Sequence, residues 1–296
     1  MLTRTILILV SVLPYRSLSQ NYPFLKAVDI ASTVSYDTSK SLYSYSYTLE
    51  SAKSNVGSIQ KLEMDISRGP NTLNLDTTGL TFDSEFELNN FRERYAQLSS
   101  KTVSIGIPVL PGREWVGMLT NRYTVSISAD SAFIKPGGIV KSIVITSRGL
   151  PSIRVCVISP NFQDDLLFPS IEDTSANAMT IAQMDSIRDA VNYHGWTIGP
   201  TAPPVNFTSA TWLDTLISYK HQALNLGWID NQGIVNSLDQ KLDNAKSQLQ
   251  KGDTAAAKNT LRALVNEVEA QNGKHLTSEA YALLRYNTEY LISKLH

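Results

Sequence analysis

Apolar residues recur at helical spacing through the C-terminal part of the chain, Phe207–His296. Four runs share intervals of three and four residues, which place their apolar side chains on one face of a helix. Typical helix-start residues and glycine stops separate the runs: Thr208, Ser209, Asp253 and Thr277 at the starts, and Gly227, Gly252 and Gly273 at the ends. Such short connections make successive helices antiparallel, so the pattern predicts a small all-α up-down bundle.

A period of two residues dominates the chain from Tyr22 to about Ser159. Leu42–Leu49 alternates, with Tyr43, Tyr45 and Tyr47 on one side and Ser44, Ser46 and Thr48 on the other, which predicts a half-buried antiparallel strand. Further candidate strands are Leu62–Ile66, Leu73–Leu75, Thr102–Val109, Tyr123–Ile127, Ile139–Thr146 and Ile153–Ile158. Short strands separated by Gly and Pro turns predict an antiparallel, immunoglobulin-like β-sandwich.

Two segments of this region depart from the alternation. Glu85–Leu98 carries aromatic residues among charges, which fits a short edge helix or a charged loop. A second helix is predicted to begin at a capping box, in which Thr180 is followed by Gln183. We expect that helix to end at His194 and Gly195.

Prolines mark the boundary between the two patterns. Trp196–Pro204 contains three of them, and proline lacks the backbone donor that helices and sheet ladders use. We therefore expect an extended linker over residues 196–206. It would join a β-sandwich domain over residues 20–195 to a helical domain over residues 207–296.

The N-terminus has the pattern of a secretory signal. Arg4 precedes the apolar run Ile6–Leu13, and small residues at Ser17 and Ser19 suit a signal peptidase. These features predict a signal peptide over residues 1–19, cleaved before Gln20, and a secreted protein in the extracellular space, periplasm or cell envelope. The apolar run is shorter than the roughly 20 residues that cross a bilayer, so no membrane span is expected after cleavage. An uncleaved anchor is the alternative.

The charge and the cysteine content limit the classes of function that fit this chain. The chain has 26 basic and 27 acidic residues and no basic stripe, which argues against a nucleic-acid partner. Its single cysteine, Cys156, lies in an alternating run and cannot form an intramolecular disulfide. We expect a buried, inert thiol and a domain held together by packing.

No catalytic or cofactor motif is present in the sequence. It lacks a Gly-x-Ser-x-Gly motif, a phosphate loop and a dinucleotide fingerprint, and its four histidines are scattered. Asp164-Asp165 and Asp230-Asn231 carry oxygen ligands suited to calcium, but such pairs are more typical of turns and caps. We expect no enzyme activity, cofactor or metal. The competing class is a hydrolase whose carboxylates come together only on folding.

Aromatic residues offer the candidate binding surface. Tyr43, Tyr45 and Tyr47 lie on one face of the predicted strand, where their rings can stack sugars or fill a protein groove. The alternative, favoured by the Ser and Thr on the other face, places them in the core or at its rim. Trp115, beside Arg113 and Glu114, poses the same choice between binding and packing.

Several glycine and polar positions of the helical region resemble the FIMAH domain. The matching residues lie within Gly227–Leu295 and are Gly227-Trp228-Ile229, Asn231-Gln232-Gly233-Ile234, Ser237–Leu242, Gly252-Asp253 and Asn266–Lys274. This family consists of helical modules at the C-termini of secreted bacterial proteins, some behind enzymes. The resemblance implies a bacterial, exported accessory module and supplies no catalytic residue.

These observations favour a non-catalytic extracellular or envelope-associated interaction or structural module. The sandwich would be the recognition part, and the bundle a docking or spacer element. Its partner would be a cell-surface polysaccharide or a protein, and a carbohydrate-binding accessory protein is the alternative.

Overall fold

The computed structural model describes residues 23–66, 109–112, 115–120, 124–161, 186–187, 189–202 and 207–296. Within these ranges the chain forms strands first and helices afterwards. The strands are β1 (Val28–Asp37), β2 (Leu42–Ser51), β3 (Ile59–Asp65), β4 (Trp115–Thr120), β5 (Thr124–Ala129), β6 (Ile139–Ser147), β7 (Leu150–Pro160) and β8 (Tyr193–Thr201). The helices are α1 (Ser209–Asn225), α2 (Gln232–Gln250), α3 (Thr254–Gln271) and α4 (Ser278–Lys294). The predicted β-sandwich followed by a helical bundle is confirmed.

The described strands of the sandwich form two antiparallel sheets. One has three strands in the order β1-β2-β6, and the other has five in the order β4-β5-β3-β7-β8. The apolar residues that alternate along each strand meet in one buried core, which includes Tyr47, Leu62, Ile127, Ile145 and Ile158. Period-two alternation in the sequence therefore reflects one face packed in the core and one face toward solvent.

Residues 196–201 are the second half of strand β8, so the predicted linker is wrong over this stretch. β8 pairs with β7 along its whole length, from Tyr193 opposite Ile158 to Thr201 opposite Leu150. It is the outer strand of its sheet, and an edge strand tolerates a proline such as Pro200 because not every N–H is needed for the ladder. Residues 203–206 lie outside the described ranges.

The predicted helix stop before β8 is also wrong. His194 and Gly195 are strand residues that pair with Val157 and Cys156. The described residues just before them, 189–191, are helical. Several other predictions lie outside the described residues: the signal peptide, Leu73–Leu75, Glu85–Leu98, residues 102–108, the capping box at Thr180 and the pair Asp164-Asp165.

Local capping chemistry sets the boundaries of the four helices. The predicted N-caps Thr208, Asp253 and Thr277 each accept a backbone N–H of the following turn, as does Asn231 at the start of α2. Gly227, Gly252 and Gly273 all have a positive φ, between 72° and 78°. A left-handed residue there ends each helix and turns the chain into the next one.

None of the helices in the described part of the chain combines the length and the apolar composition needed to cross a bilayer.

Candidate interaction surface at the junction of sandwich and bundle

Helix α4 covers the free edge of the three-stranded sheet. β1 is the outer strand of that sheet, so every second residue directs its N–H and C=O away from β2. The Glu279 carboxylate accepts the backbone N–H of Ser32 at 2.5 Å and its hydroxyl at 3.2 Å. The Tyr286 hydroxyl donates to the carbonyl oxygen of Val34 at 3.0 Å. α4 thus occupies the place beside β1 where a further strand would pair.

The bundle also contacts the five-stranded sheet. The Asn287 side-chain amide donates to the carbonyl oxygen of Pro151, in β7, at 2.8 Å. The hydroxyls of Ser152 and Tyr219 lie 3.0 Å apart, which brings α1 to the same strand. The Trp212 indole N–H donates to the Asn287 carbonyl oxygen at 2.9 Å and holds α1 against α4. Polar contacts therefore connect α4 to both sheets and α1 to the five-stranded sheet.

Tyr45 and Tyr47 are fully buried, so they do not form the candidate binding surface and agree with the core alternative. Their strand, β2, lies at the centre of its sheet with the tyrosines facing the second sheet and the Ser and Thr residues facing outward. The Tyr45 hydroxyl donates to the Gly149 carbonyl oxygen at 2.7 Å, and that of Tyr47 donates to the Ile198 carbonyl oxygen at 2.8 Å. Burial raises the pKa of both phenols. They are core residues with satisfied hydroxyls.

Trp115 is a packing residue as well. It begins β4, pairs with Ala129 of β5 and joins the buried core with 5% of its surface exposed. Its indole is therefore not available to a ligand.

Tyr43 behaves differently from the other two tyrosines of β2, because it lies at the end of the sheet. It is only partly buried, and its cross-strand partner on β1 is Tyr36. The two ring centroids are 4.6 Å apart, and Tyr43 meets the edge of Tyr286 at 5.4 Å. Tyr36 is 40% exposed. The exposed ring of Tyr36 thus packs on Tyr43 of the sandwich, which in turn contacts Tyr286 of the bundle.

Charged groups of α4 border these rings. The Arg285 guanidinium lies 5.4 Å from the ring centroids of both Tyr281 and Tyr286. It also donates from Nε to the Glu289 carboxylate at 3.0 Å. Nη2 lies 3.3 Å from the Glu269 carboxylate, and Nη1 donates to the Tyr281 hydroxyl. We call the six residues Tyr36, Tyr43, Tyr281, Arg285, Tyr286 and Glu289 the tyrosine seam.

Sequence reasoning identified Tyr43 but missed the rest of the tyrosine seam. Tyr36 could have been found as its partner, had the hairpin of β1 and β2 been placed in register. The α4 residues Tyr281, Arg285 and Glu289 recur at intervals of four, which marks one helix face. Nothing in the sequence indicates that this face meets the hairpin.

The reactive groups in the core are held in unreactive states. Cys156 is buried, and burial raises the pKa of its thiol to about 12. Arg154 is also fully buried and donates from Nε and Nη2 to the Pro200 carbonyl oxygen, at 3.1 and 2.6 Å. Among the described residues, no group of three or more His, Cys, Asp or Glu side chains could hold a metal ion.

Asp230 and Asn231, considered above as calcium ligands, have structural contacts. The Asp230 carboxylate lies 2.8 Å from His275 Nδ1, and its backbone N–H donates to the His275 carbonyl oxygen at 3.2 Å. The Asn231 side chain caps α2. These contacts join the loop between α1 and α2 to the loop between α3 and α4.

Several of the glycine and polar positions that resemble the FIMAH domain are thus caps and loop contacts. No curated protein matches the chain by sequence. Residues 220–293 match the family model of the FIMAH domain, and a FIMAH domain is therefore found at the C-terminal end of this chain.

Proposed function

We propose that this chain is a non-catalytic interaction module of the cell exterior, in which the sandwich and the FIMAH domain act as one unit. The observation that carries the proposal is the hydrogen bonding of Glu279 and Tyr286 to the edge of β1. Both side chains are buried, so separating the two parts would leave polar groups of β1 without their partners. A spacer on a free linker would need no such contacts.

An exposed ring at this junction supports a role in recognition. Tyr36 presents an aromatic surface that packs on Tyr43, and Tyr43 in turn contacts Tyr286. A fixed aromatic side chain loses little conformational freedom on binding, which favours its use in recognition. Sandwich and helix both contribute to this surface, so the FIMAH domain would take part in binding.

The states of the reactive groups support a non-catalytic role. A cysteine nucleophile needs a lowered pKa, whereas burial raises that of Cys156. The pKa of Tyr45 and of Tyr47 is raised in the same way, which keeps both phenols protonated. Export to the cell exterior follows from the predicted signal peptide, and the envelope or the extracellular space is the proposed location.

The docking part of this proposal can be tested by cutting the chain between its two parts. Cleavage at a protease site inserted at residues 203–206 would break the covalent connection between the sandwich and the helices. We expect the two fragments to remain together in gel filtration after cleavage, because the interface holds them. The same cut in a Glu279→Ala, Tyr286→Phe double variant should release more of the helical fragment. Fragments that separate at once in the unmodified sequence would show that the FIMAH domain is a tethered spacer.

The interaction part can be tested with bacterial cell-envelope fractions. We expect the purified chain to be retained on them in a saturable way and to release no product in molar excess over protein. Retention lost after removal of envelope polysaccharide would point to a glycan partner, and retention lost after protease treatment to a protein partner. Catalytic release of envelope fragments would support the competing hydrolase, and no retention on any fraction would contradict the interaction module.

A further inference from the structure

We propose that the tyrosine seam is a binding site for an uncharged saccharide chain. This proposal rests on the proposed function and names a ligand class for the same surface. Tyr36 would stack against a pyranose ring, and the carboxylate oxygens at the seam would accept sugar hydroxyls.

The aromatic part of the seam fits one face of a sugar ring. A pyranose has faces rich in C–H bonds and an edge lined by hydroxyls, so it pairs with a flat ring bordered by polar groups. Tyr43 covers one side of Tyr36 at 4.6 Å, and Tyr36 remains 40% exposed. Tyr286 makes a T-shaped contact with Tyr43, with ring centroids 5.4 Å apart, which further restricts the pair. The exposed ring is therefore preorganised for stacking.

The polar part of the seam favours an uncharged ligand. Arg285 is the cation of this site, and its Nε, Nη1 and Nη2 already contact Glu289, Tyr281 and Glu269. Three of its five N–H donors are therefore engaged, which leaves it less able to bind a phosphate or carboxylate bidentately. With its two carboxylate partners the group carries a net charge of about −1, which repels anions. Sugar hydroxyls can donate to these carboxylates without adding charge.

The position of the seam agrees with a binding role. Ligand sites occur preferentially where two domains meet. Here the β1–β2 hairpin supplies Tyr36 and Tyr43, and α4 supplies the remaining residues. The carboxylates keep solvent contact, with 41% of the Glu289 side chain and 45% of the Glu269 side chain exposed.

The test is calorimetric titration of the full chain with neutral and anionic oligosaccharides. The neutral probes are cellopentaose, penta-N-acetylchitopentaose and laminaripentaose, and the anionic probe is an oligogalacturonate of similar length. We expect saturable binding of at least one neutral probe and none of the anionic probe. Tyr36→Ala should weaken that binding by about tenfold, and Tyr36→Phe, which keeps the ring, should bind almost as the unmodified chain does.

An exposed aromatic residue of another strand provides the matched control. Trp196 is 44% exposed on β8 and lies outside the seam, so Trp196→Ala should bind the sugar unchanged. Failure of every neutral probe to bind, equal binding by Tyr36→Ala, or preference for the anionic probe would overturn the saccharide site. If envelope fractions still retain the chain in any of those cases, the interaction module stands and only this site is rejected. If the saccharide site is rejected and envelope fractions also fail to retain the chain, the proposed function is rejected as well.

Discussion

Glu279 accepts the backbone N–H of Ser32, a residue 247 positions earlier in the chain. This contact satisfies the free edge of a β-sheet with a side chain from a helix. Exposed sheet edges pair readily with other strands and promote aggregation, and proteins commonly cover them. In this chain the cover comes from the FIMAH domain, which therefore has a structural role in the sandwich.

Replacing Glu279 with Ala should destabilise the sandwich as well as the bundle. The substitution leaves the Ser32 N–H without its acceptor, and an unsatisfied buried donor costs about 1–3 kcal/mol. Loss of the carboxylate also removes the cost of burying it, so we expect a value near the lower end of that range. Denaturant unfolding measures the total effect, and amide hydrogen exchange at Ser32 locates it.

Asp243→Ala is the matched control for that substitution. Asp243 is an exposed acidic residue of α2, so its removal should change the free energy of unfolding by less than about 0.5 kcal/mol. Unchanged exchange at Ser32 in the Glu279→Ala variant would contradict the proposed edge cover.

The bundle could be predicted from the sequence because its boundaries depend on neighbouring residues. A cap such as Thr277 accepts an N–H three residues away, and the helix end at Gly273 depends only on the positive φ of that residue. The sequence also placed Glu279 in the first turn of α4, where a carboxylate suits the helix dipole. Its partner Ser32 could not be predicted, because no local rule links a helix start to a strand so far away.

The sequence predicts the sandwich fold but not its edge strand β8. Buried strands show a clear alternation of apolar and polar residues, as around Tyr45. This pattern can be recognised without knowing the partner strand. β8 was missed because Pro200 and the prolines that follow it argue against a central strand, whereas only the fold shows that β8 is an edge strand. The tyrosine seam depends on the same non-local information, since it needs both the β1–β2 register and the docking of α4.

Gly252→Ala should destabilise the bundle through its backbone alone. Gly252 has a φ of 78°, and a Cβ atom there would meet no other atom within 4 Å. The left-handed conformation costs a residue with a Cβ about 1–2 kcal/mol, so we expect a loss of that size in thermal unfolding. Gly252→Asn should lose less, because Asn adopts this conformation more readily. Equal losses for Ala and Asn would show that backbone strain is not the cause.

Alkaline pH should destabilise the fold through its buried phenols. Burial raises the pKa of Tyr45 and Tyr47, so above pH about 10 the unfolded chain loses protons that the folded chain keeps. Their contribution to stability is complete below that pH and falls as the pH rises, by up to about 1.4 kcal/mol per pH unit for each phenol. The buried thiol of Cys156 adds to this fall. Denaturant unfolding at a series of pH values from neutral to about 11 measures it.

Tyr45→Phe tests that explanation. The variant loses the hydrogen bond to Gly149 and should be about 1 kcal/mol less stable at neutral pH. It also loses one titrating group, so its stability should fall less steeply at alkaline pH. A slope equal to that of the unmodified chain would assign the alkaline effect to other groups.

Cys156 should resist thiol reagents as long as the chain is folded. Its side chain lies in the core, and burial raises its pKa to about 12, so almost no thiolate is present at neutral or mildly alkaline pH. We expect a chromogenic disulfide reagent to leave the folded chain unmodified and to react completely with one thiol per chain in denaturant. Glu279→Ala should react faster than the unmodified chain, because a less stable fold opens more often. Rapid reaction of the native chain would place Cys156 at an accessible position and would contradict the buried, unreactive thiol.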